Sequence, residues 1–420
     1  MNATHVREVD VAIVGAGIVG ICAAIALVEA GRDVTLLDRS GVCEETSSGN
    51  AGALAFSDVL PLAQKGMMRN LPRWLMDPMG PLSIPPAYLP HLVPWLWRFW
   101  RAGNTRNREA SLAGQASLMK LAEAEWTSLL ARSSTRPMLR EDGSLELYET
   151  AREFAASKPG WAARERFGIR FRHVDGDELA QLQPGLSPRF IKGTFVPDWK
   201  TVTDPKIFGK ALFDYGRGKG DLLRFEQRTV SSVATAAQGT RLRLLDGEEI
   251  HCRTLIVAAG AWSHRLAAQL GEKIPLETER GYNTTLPADA FDVKRQLIFS
   301  GHGFVVTPLS TGLRIGGAVE LAGLDRPPNY ARARAMLEKT RAFLPGIRTG
   351  GGREWMGYRP SLPDSLPVIG HATASPDIVY AFGHGHLGLT QAAATGRLVR
   401  DVVSGSRPAI DLSPFSPQRF

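Results

Sequence analysis

Residues 9–39 read VDVAIVGAGIVGICAAIALVEAGRDVTLLDR, and the fold is decided there. Residues 9–14 are a mostly apolar run, as expected of a strand buried on both faces in a parallel sheet. Gly15, Gly17 and Gly20 then supply GxGxxG. Residues 18–30 have helical character, and Gly31 is a C-terminal stop. A second strand covers 34–37, with Asp38 at its end. Gly15 permits the tight turn from strand to helix. Gly17 lets the backbone approach a pyrophosphate, and Gly20 lets the helix pack close to the strand. The helix start at Ile18 offers free N–H groups to phosphates. Asp38, with Arg39 beside it, can accept hydrogen bonds from both ribose hydroxyls, and its charge would repel a 2′-phosphate. Strand, glycines, helix, second strand and acid in register predict dinucleotide binding. The alternative is a glycine-rich turn with no ligand.

The next segment, 39–55, reads RSGVCEETSSGNAGALA. Ser47, Ser48, Asn50, Ala51 and Gly52 are small or polar, so backbone and hydroxyls can crowd a large cofactor. A plain nicotinamide dehydrogenase moves quickly to its next strand–helix unit here; a flexible surface loop is the other reading. Further on, 242–260 reads as a hairpin turning at Asp246-Gly247. It feeds a buried strand that ends at Ala259 and Gly260, where backbone can approach a ligand. Val230, ahead of that hairpin, is counted with the same site.

Taken together, four stretches resemble the D-amino-acid oxidase family of FAD-dependent oxidoreductases, in its D-amino-acid dehydrogenase branch. They are the opening motif, TSSGNAGALA at 46–55, LIVAAGAWSHRL at 255–266, and GYRPSLPDSLPVIG at 357–370 followed by AFGHGHLGLTQAAATGRLVRDVV at 381–403. The second is similar to the family's Ser-x-x-Asn-Ala-Gly loop along the flavin. The resemblance runs the length of the chain in motif order and is thin between about 60 and 190. It implies FAD, and no Cys or His matches a covalent linkage, so FAD is expected to be non-covalent. The turn holding Gly385, His386, Gly388, Leu389 and Thr390 opens a helix whose N-terminus would face the flavin N1–C2=O edge and stabilise its charge on reduction. An ordinary capping helix is the alternative there. The expected fold is α/β: a discontinuous Rossmann-like FAD-binding domain with an inserted α+β substrate domain on an antiparallel sheet. The FAD-binding domain is placed at 1–60, 150–265 and 345–420, and the substrate domain at 61–149 and 266–344. Helices are expected near 116–133 and 330–345, and strand-like alternation over 302–320.

The resemblance also places Arg359 in the family's Gly-aromatic-Arg-Pro motif, with Gly357 at its head, as the arginine that holds the substrate carboxylate. A guanidinium offers two parallel donors that fix a carboxylate's plane. The structural alternative is an ion pair with an acid such as Asp364. Tyr282, in ERGYNTT, is expected over the ligand, with a packed strand aromatic as the alternative; Tyr358 is a weaker candidate. His302, in FSGHGF, is expected to reach the cavity. His384 and His386 sit in the flavin-facing turn, where a hydrogen-bonded structural histidine is the commoner case. No residue is forced into the role of general base.

The expected reaction is oxidation of a D-amino acid, of D-proline or D-hydroxyproline type among the options. Hydride passes from Cα to flavin N5, the imino acid hydrolyses to a 2-oxo acid, and electrons go to a quinone or similar acceptor. A glycine- or sarcosine-oxidase-like enzyme using O₂ is the near rival. A flavin-binding subunit without chemistry of its own is the rival from another class.

Bulk properties fit. The chain has 420 residues, enough for two domains, at an ordinary globular 44% hydrophobic and 22% charged. The net charge of +8 is scattered and accompanied by no groove-reading motif, so nucleic acid is not expected. No metal-ligand spacing is present. Three cysteines without a CxxC pair suit a reducing cytosol, and the start MNATHVREVD lacks the form of a signal peptide. A cytoplasmic location is therefore expected. The Trp- and Arg-bearing stretch 70–103 could rest on a membrane surface, with an inter-domain apolar segment as the alternative.

Overall fold

The computed structural model describes residues 6–63, 80 and 82–420. Strand Val6–Val14 pairs in parallel with Val34–Asp38 on one side and Glu249–Val257 on the other. It begins before residue 9 because its pairing with the partner strand runs from Val6↔Glu249 to Val14↔Val257. Leu223–Gln227 adds at the outer edge of Val34–Asp38. Beyond Glu249–Val257, the first half of that strand takes the antiparallel hairpin partner Thr240–Leu244, and the second half takes the parallel strand Ile378–Phe382. The result is an eight-stranded sheet. Val11, Ala12 and Ile13 are fully buried because both faces are covered. Helices Ile18–Val28 and Gly388–Val403 pack together on one face with Phe208 and Leu212. Leu242, Ile250 and Leu266 lie in the cluster on the other.

The second sheet has nine strands and is antiparallel except for two pairs. Its order runs Arg353–Ser361, Glu277–Leu286, Gly312–Leu321, Phe304–Leu309, Gln296–Phe299, Ser144–Tyr148, Lys192–Val196, Arg172–Asp175, with Leu82–Ser83 beside Gly312–Leu321. Helix Ala331–Phe343 packs on it, with Phe343 buried. A small third sheet joins Ala53–Leu54, Lys200–Val202 and Leu139–Arg140.

This arrangement moves three of the boundaries read from the sequence. Arg172–Asp175 and Lys192–Val196, inside the 150–265 span, join the second sheet because Lys192–Val196 pairs with Ser144–Tyr148. Arg353–Ser361, inside 345–420, is an outer strand of that same sheet. Helix Thr105–Arg132, inside 61–149, packs instead on the Gly388–Val403 helix. Leu118, Ala122, Trp126 and Leu129 fall on one helical stripe and enter the core of the first domain. Trp126 Nε1 donates to the carbonyl of Thr390 at 2.8 Å. Among the described residues no helix is long and apolar enough to cross a membrane.

Candidate active site

A crevice of about 340 Å³ opens at the carboxyl ends of Val6–Val14, Val34–Asp38 and Glu249–Val257, where ligands bind in open α/β sheets. Of the residues expected to hold the cofactor, Gly15, Gly17, Ile18, Asp38, Arg39, Ser47, Asn50, Val230, Ala259, Gly260, Gly385, Gly388 and Leu389 line it. A methyl carbon at Gly15 would sit 2.3 Å from the Ala258 carbonyl oxygen, at a φ of +114°, so only glycine makes this turn. Asp38 accepts from the Ala16 and Ser40 amides, both at 2.8 Å, which fixes the carboxylate at the crevice wall. Ser47 Oγ accepts from the Ile18 amide at 3.0 Å, at the helix start where a phosphate would lie.

The other cofactor candidates support the wall from behind. Gly20 packs against Gly15, whose carbonyl oxygen lies 1.9 Å from where a Gly20 methyl carbon would be. Ser48 Oγ donates to the Glu45 carbonyl, and Gly52 N donates to Asn50 Oδ1 at 2.7 Å, closing the loop that carries Ala51. Thr390 Oγ1 accepts from the Ala55 amide at 3.0 Å and ties that loop to the C-terminal helix. Sequence reasoning passed over Trp262 and Arg314. The Arg39 guanidinium lies over the Trp262 ring at 3.9 Å, and both line the crevice. Arg314, pulled down in pKa by burial, donates to the Asn50 carbonyl at 2.5 Å and props the loop from the second sheet. Nothing in its surroundings in the sequence distinguishes it from any other strand arginine. The residues fit FAD: glycines at the turn, a fixed carboxylate for ribose, and a buried Ser361 Oγ with no protein partner that lies 3.5 Å from a methyl carbon built at crevice-lining Gly385.

Arg359 lies one residue from Pro360, which lines the crevice. Its strand pairs with Glu277–Leu286 in the register Glu279↔Arg359, Gly281↔Gly357 and Asn283↔Trp355. Strand alternation puts these six residues on one face. That face meets the loop that carries Ser47 and Asn50: Asn283 Nδ2 donates to the Gly49 carbonyl at 3.0 Å, and the Trp355 ring lies against Gly49 and over Gly357. The Arg359 guanidinium rests on Gly281, where an added methyl carbon would fall 2.3 Å from Nη2. Arg359 donates to the carbonyls of Ala318 at 3.0 Å and Gly317 at 3.4 Å. Burial lowers its pKa, and Glu279 acts in the opposite direction. The alternative ion-pair partner, Asp364, is taken by Arg419 at 2.7 Å.

The other expected substrate residues fall elsewhere. Tyr282 is an odd number of residues from Glu279, so its side chain emerges on the opposite face from Arg359. It is 1% exposed in the core of the second sheet, donates to Glu320 and accepts from the Asn329 amide at 3.0 Å. Burial raises its pKa to about 12. Thus the packed aromatic, not the ligand cover, describes its position. His302 is not brought to the crevice either: its ring lies 4.7 Å from that of Phe343, and Nε2 is 3.0 Å from Glu149. Tyr358 does line the crevice, packed edge-on to Trp262. His384 is buried, pairs with Thr395 Oγ1 at 2.9 Å, and is held neutral, its pKa driven to about 3 by burial.

The His386 ring is held by Asp58, with Nε2 3.2 Å from Oδ2, in the turn between crevice-lining Gly385 and Gly388. Arg164 lies behind, its Nη2 3.7 Å from Asp58 Oδ1 and its Nε donating to the Ser57 carbonyl. Asp58 and Arg164 come from the segment where the family motifs are thin, and no local pattern marks them.

Comparison with known proteins places this geometry. The model of the family described as FAD dependent oxidoreductase matches residues 10–402. The chain is 38% identical to a D-amino-acid oxidase of Bradyrhizobium diazoefficiens over 98% of each chain. It is 27% identical to a D-amino acid dehydrogenase of Neisseria meningitidis over 98% of this chain and 99% of that one. The fold is similar to that of glycine oxidase from Geobacillus kaustophilus, with a TM-score of 0.76, 21% identity and 99% of each chain covered. The chain, with its glycine turn and the fixed Asp38 carboxylate at one crevice, belongs to the D-amino-acid oxidase family of FAD-dependent oxidoreductases.

Proposed function

We propose that this enzyme oxidises a free D-amino acid at its α-carbon. The observation that carries the reading is Arg359. It is a buried guanidinium beside the crevice whose hydrogen bonds go to main-chain carbonyls and not to a carboxylate. Buried Glu279, opposite it on the paired strand, acts on it by charge but makes no hydrogen bond to it; a substrate carboxylate would supply the charge-assisted hydrogen bonds that a buried guanidinium needs. Oxidation of amino acids is also what the names of the relatives describe, at 38% and 27% identity.

Bound FAD supplies the two-electron acceptor. The chain's own residues do the positioning. Arg359 fixes the plane of the carboxylate, Gly281 gives the guanidinium its seat, and Trp355 and Gly357 shape the wall beside it. A carboxylate gripped at two points restricts how Cα can be presented; the choice of hand needs a further contact, to the amine or the side chain. The cysteines lie away from the crevice lining, and burial raises the Cys43 and Cys252 thiols to about 12, which supports non-covalent FAD. The imino product leaves to hydrolyse to a 2-oxo acid, and the electrons pass to a quinone-type acceptor.

An anaerobic screen of D- and L-amino acids for flavin bleaching tests the reading; bleaching by D- and not L-isomers is expected. Arg359→Leu should lower kcat/KM by about 10²–10⁴, from the loss of about 3–5 kcal/mol of charge-assisted bonding. Near-normal turnover of that variant refutes the role.

A membrane surface is the proposed site for acceptor reduction. Helix Leu89–Ala102 exposes Leu89, Val93, Trp97 and Trp100 along one side, with Arg98 and Arg101 also exposed and no acid from 82 to 108. Its other side packs Leu92 and Trp95 on Leu321. The start of the stretch read as membrane-facing, 70–79 and 81, lies outside the described residues.

A further inference from the structure

We propose that His386, oriented by Asp58, takes the proton from the substrate amine before oxidation; this role rests on the amino-acid-oxidase reading above. Hydride leaves Cα readily only when the adjacent nitrogen can push its lone pair toward carbon, so an ammonium must first be deprotonated. His386 stands in the right place. It lies between crevice-lining Gly385 and Gly388, in a turn whose Gly385 amide donates to the carbonyl of Pro360 at 2.8 Å, one residue from Arg359. The charges of Glu279 and Arg359 both act on it. About a third of its side chain is open to solvent, yet burial is the strongest influence on its ionisation.

The tautomer follows from the partner. Nε2 lies 3.2 Å from Asp58 Oδ2, so in the neutral ring Nε2 carries the hydrogen and donates it to the carboxylate. Nδ1 then holds a lone pair, and no hydrogen bond to it is made by the described residues. An ammonium N–H bond breaks, its electron pair stays on the substrate nitrogen, and the proton goes to Nδ1. Asp58 stabilises the imidazolium that results, as an orienting carboxylate does beside any general base. Asp58 is kept ionised: burial opposes its charge, but His386 and then Arg164 outweigh burial and lower its pKa. Glu146, in strand Ser144–Tyr148 and raised by burial, senses both Arg164 and Asp58.

The pH dependence has a definite sign. Burial pulls His386 down, and the hydrogen bond and charge of Asp58, with Glu279, more than offset it; Arg359 acts against them, and the net pKa is raised. Only the neutral ring accepts a proton, so kcat/KM must fall as pH drops through the His386 pKa. Asp58→Asn removes the anion and must move that limb to lower pH, by about 1–2 units.

The test uses the holoenzyme with ¹³Cε1-labelled histidine, titrated by NMR, together with stopped-flow flavin reduction by the best D-amino acid across pH. The resonance that disappears in His386→Asn is expected to titrate above 6.5 in the parent and lower in Asp58→Asn, and the acid limb of reduction is expected to move with it. His386→Asn is expected to reduce flavin about 10²–10⁴-fold more slowly and to lose the limb. Unchanged limbs, reduction within threefold of the parent, or a resonance unmoved by Asp58→Asn would overturn the role. Should His386→Asn fail to hold flavin, the Asp58→Asn shift in resonance and limb alone decides. A parent that no amino acid reduces overturns the function and this role with it; reduction that persists unaltered in the variants overturns only the role.

Discussion

Gly281→Ala perturbs the site without touching substrate. A methyl carbon there would lie 2.3 Å from Arg359 Nη2, 2.4 Å from Cζ and 2.9 Å from Nε. Carbon contacts settle near 3.5–4.0 Å, so the guanidinium must retreat by about 1 Å or more. The nearest atoms belong to the free end of a flexible side chain, so the strand absorbs the change by moving Arg359 rather than by unfolding. Its bonds to the Ala318 and Gly317 carbonyls, at 3.0 and 3.4 Å, are then broken or reoriented. A displacement of about 1 Å at a positioning group costs on the order of 10² in rate, equivalent to about 2.7 kcal/mol of transition-state stabilisation. The assay is kcat/KM for the best D-amino acid at saturating acceptor, alongside flavin content and a thermal melt. The expectation is a loss of about 100-fold with flavin retained and Tm nearly unchanged. The double variant with Arg359→Leu should be no worse than Arg359→Leu alone, because both act on one interaction. A Gly281→Ala enzyme within threefold of the parent would refute the claim that the guanidinium must rest on that strand.

Tyr282→Phe should destabilise the fold by about 1–3 kcal/mol in urea unfolding, because Glu320 loses a buried donor and the Asn329 amide an acceptor, while KM stays within about threefold; a KM raised more than tenfold would return Tyr282 to the substrate site. Trp97→Glu with Trp100→Glu should abolish sedimentation with vesicles containing anionic lipid while leaving soluble-dye reduction intact, and unaltered sedimentation would remove the membrane from the account.

How much was legible in advance depends on how local the determining physics is. Gly15, Gly17 and Asp38 are read from sequence because turn geometry and helix-start amides act within about 25 residues of chain. Arg359 is readable from its motif, but its lack of a carboxylate hydrogen-bond partner is not. Only the fold shows that Asp364 is taken by Arg419, 55 residues further on, which leaves the guanidinium to main-chain carbonyls. Tyr282 is settled by its partners, not by its motif: its hydroxyl donates to Glu320 and accepts from the Asn329 amide in the core of the second sheet, and both partners lie at least 38 residues away in sequence. The domain boundaries failed because strand pairing is non-local: Lys192–Val196 has no pattern that prefers Ser144–Tyr148 over the first sheet. His386 shows the deepest limit. Its neighbours in sequence mark it as a turn residue, whereas its hydrogen-bond partner, Asp58, lies 328 positions away. The carboxylate that orients this ring is brought to it by the chain after Ala55, whose amide is tied to Thr390 of helix Gly388–Val403 at 3.0 Å, and no run of sequence around either residue encodes that contact.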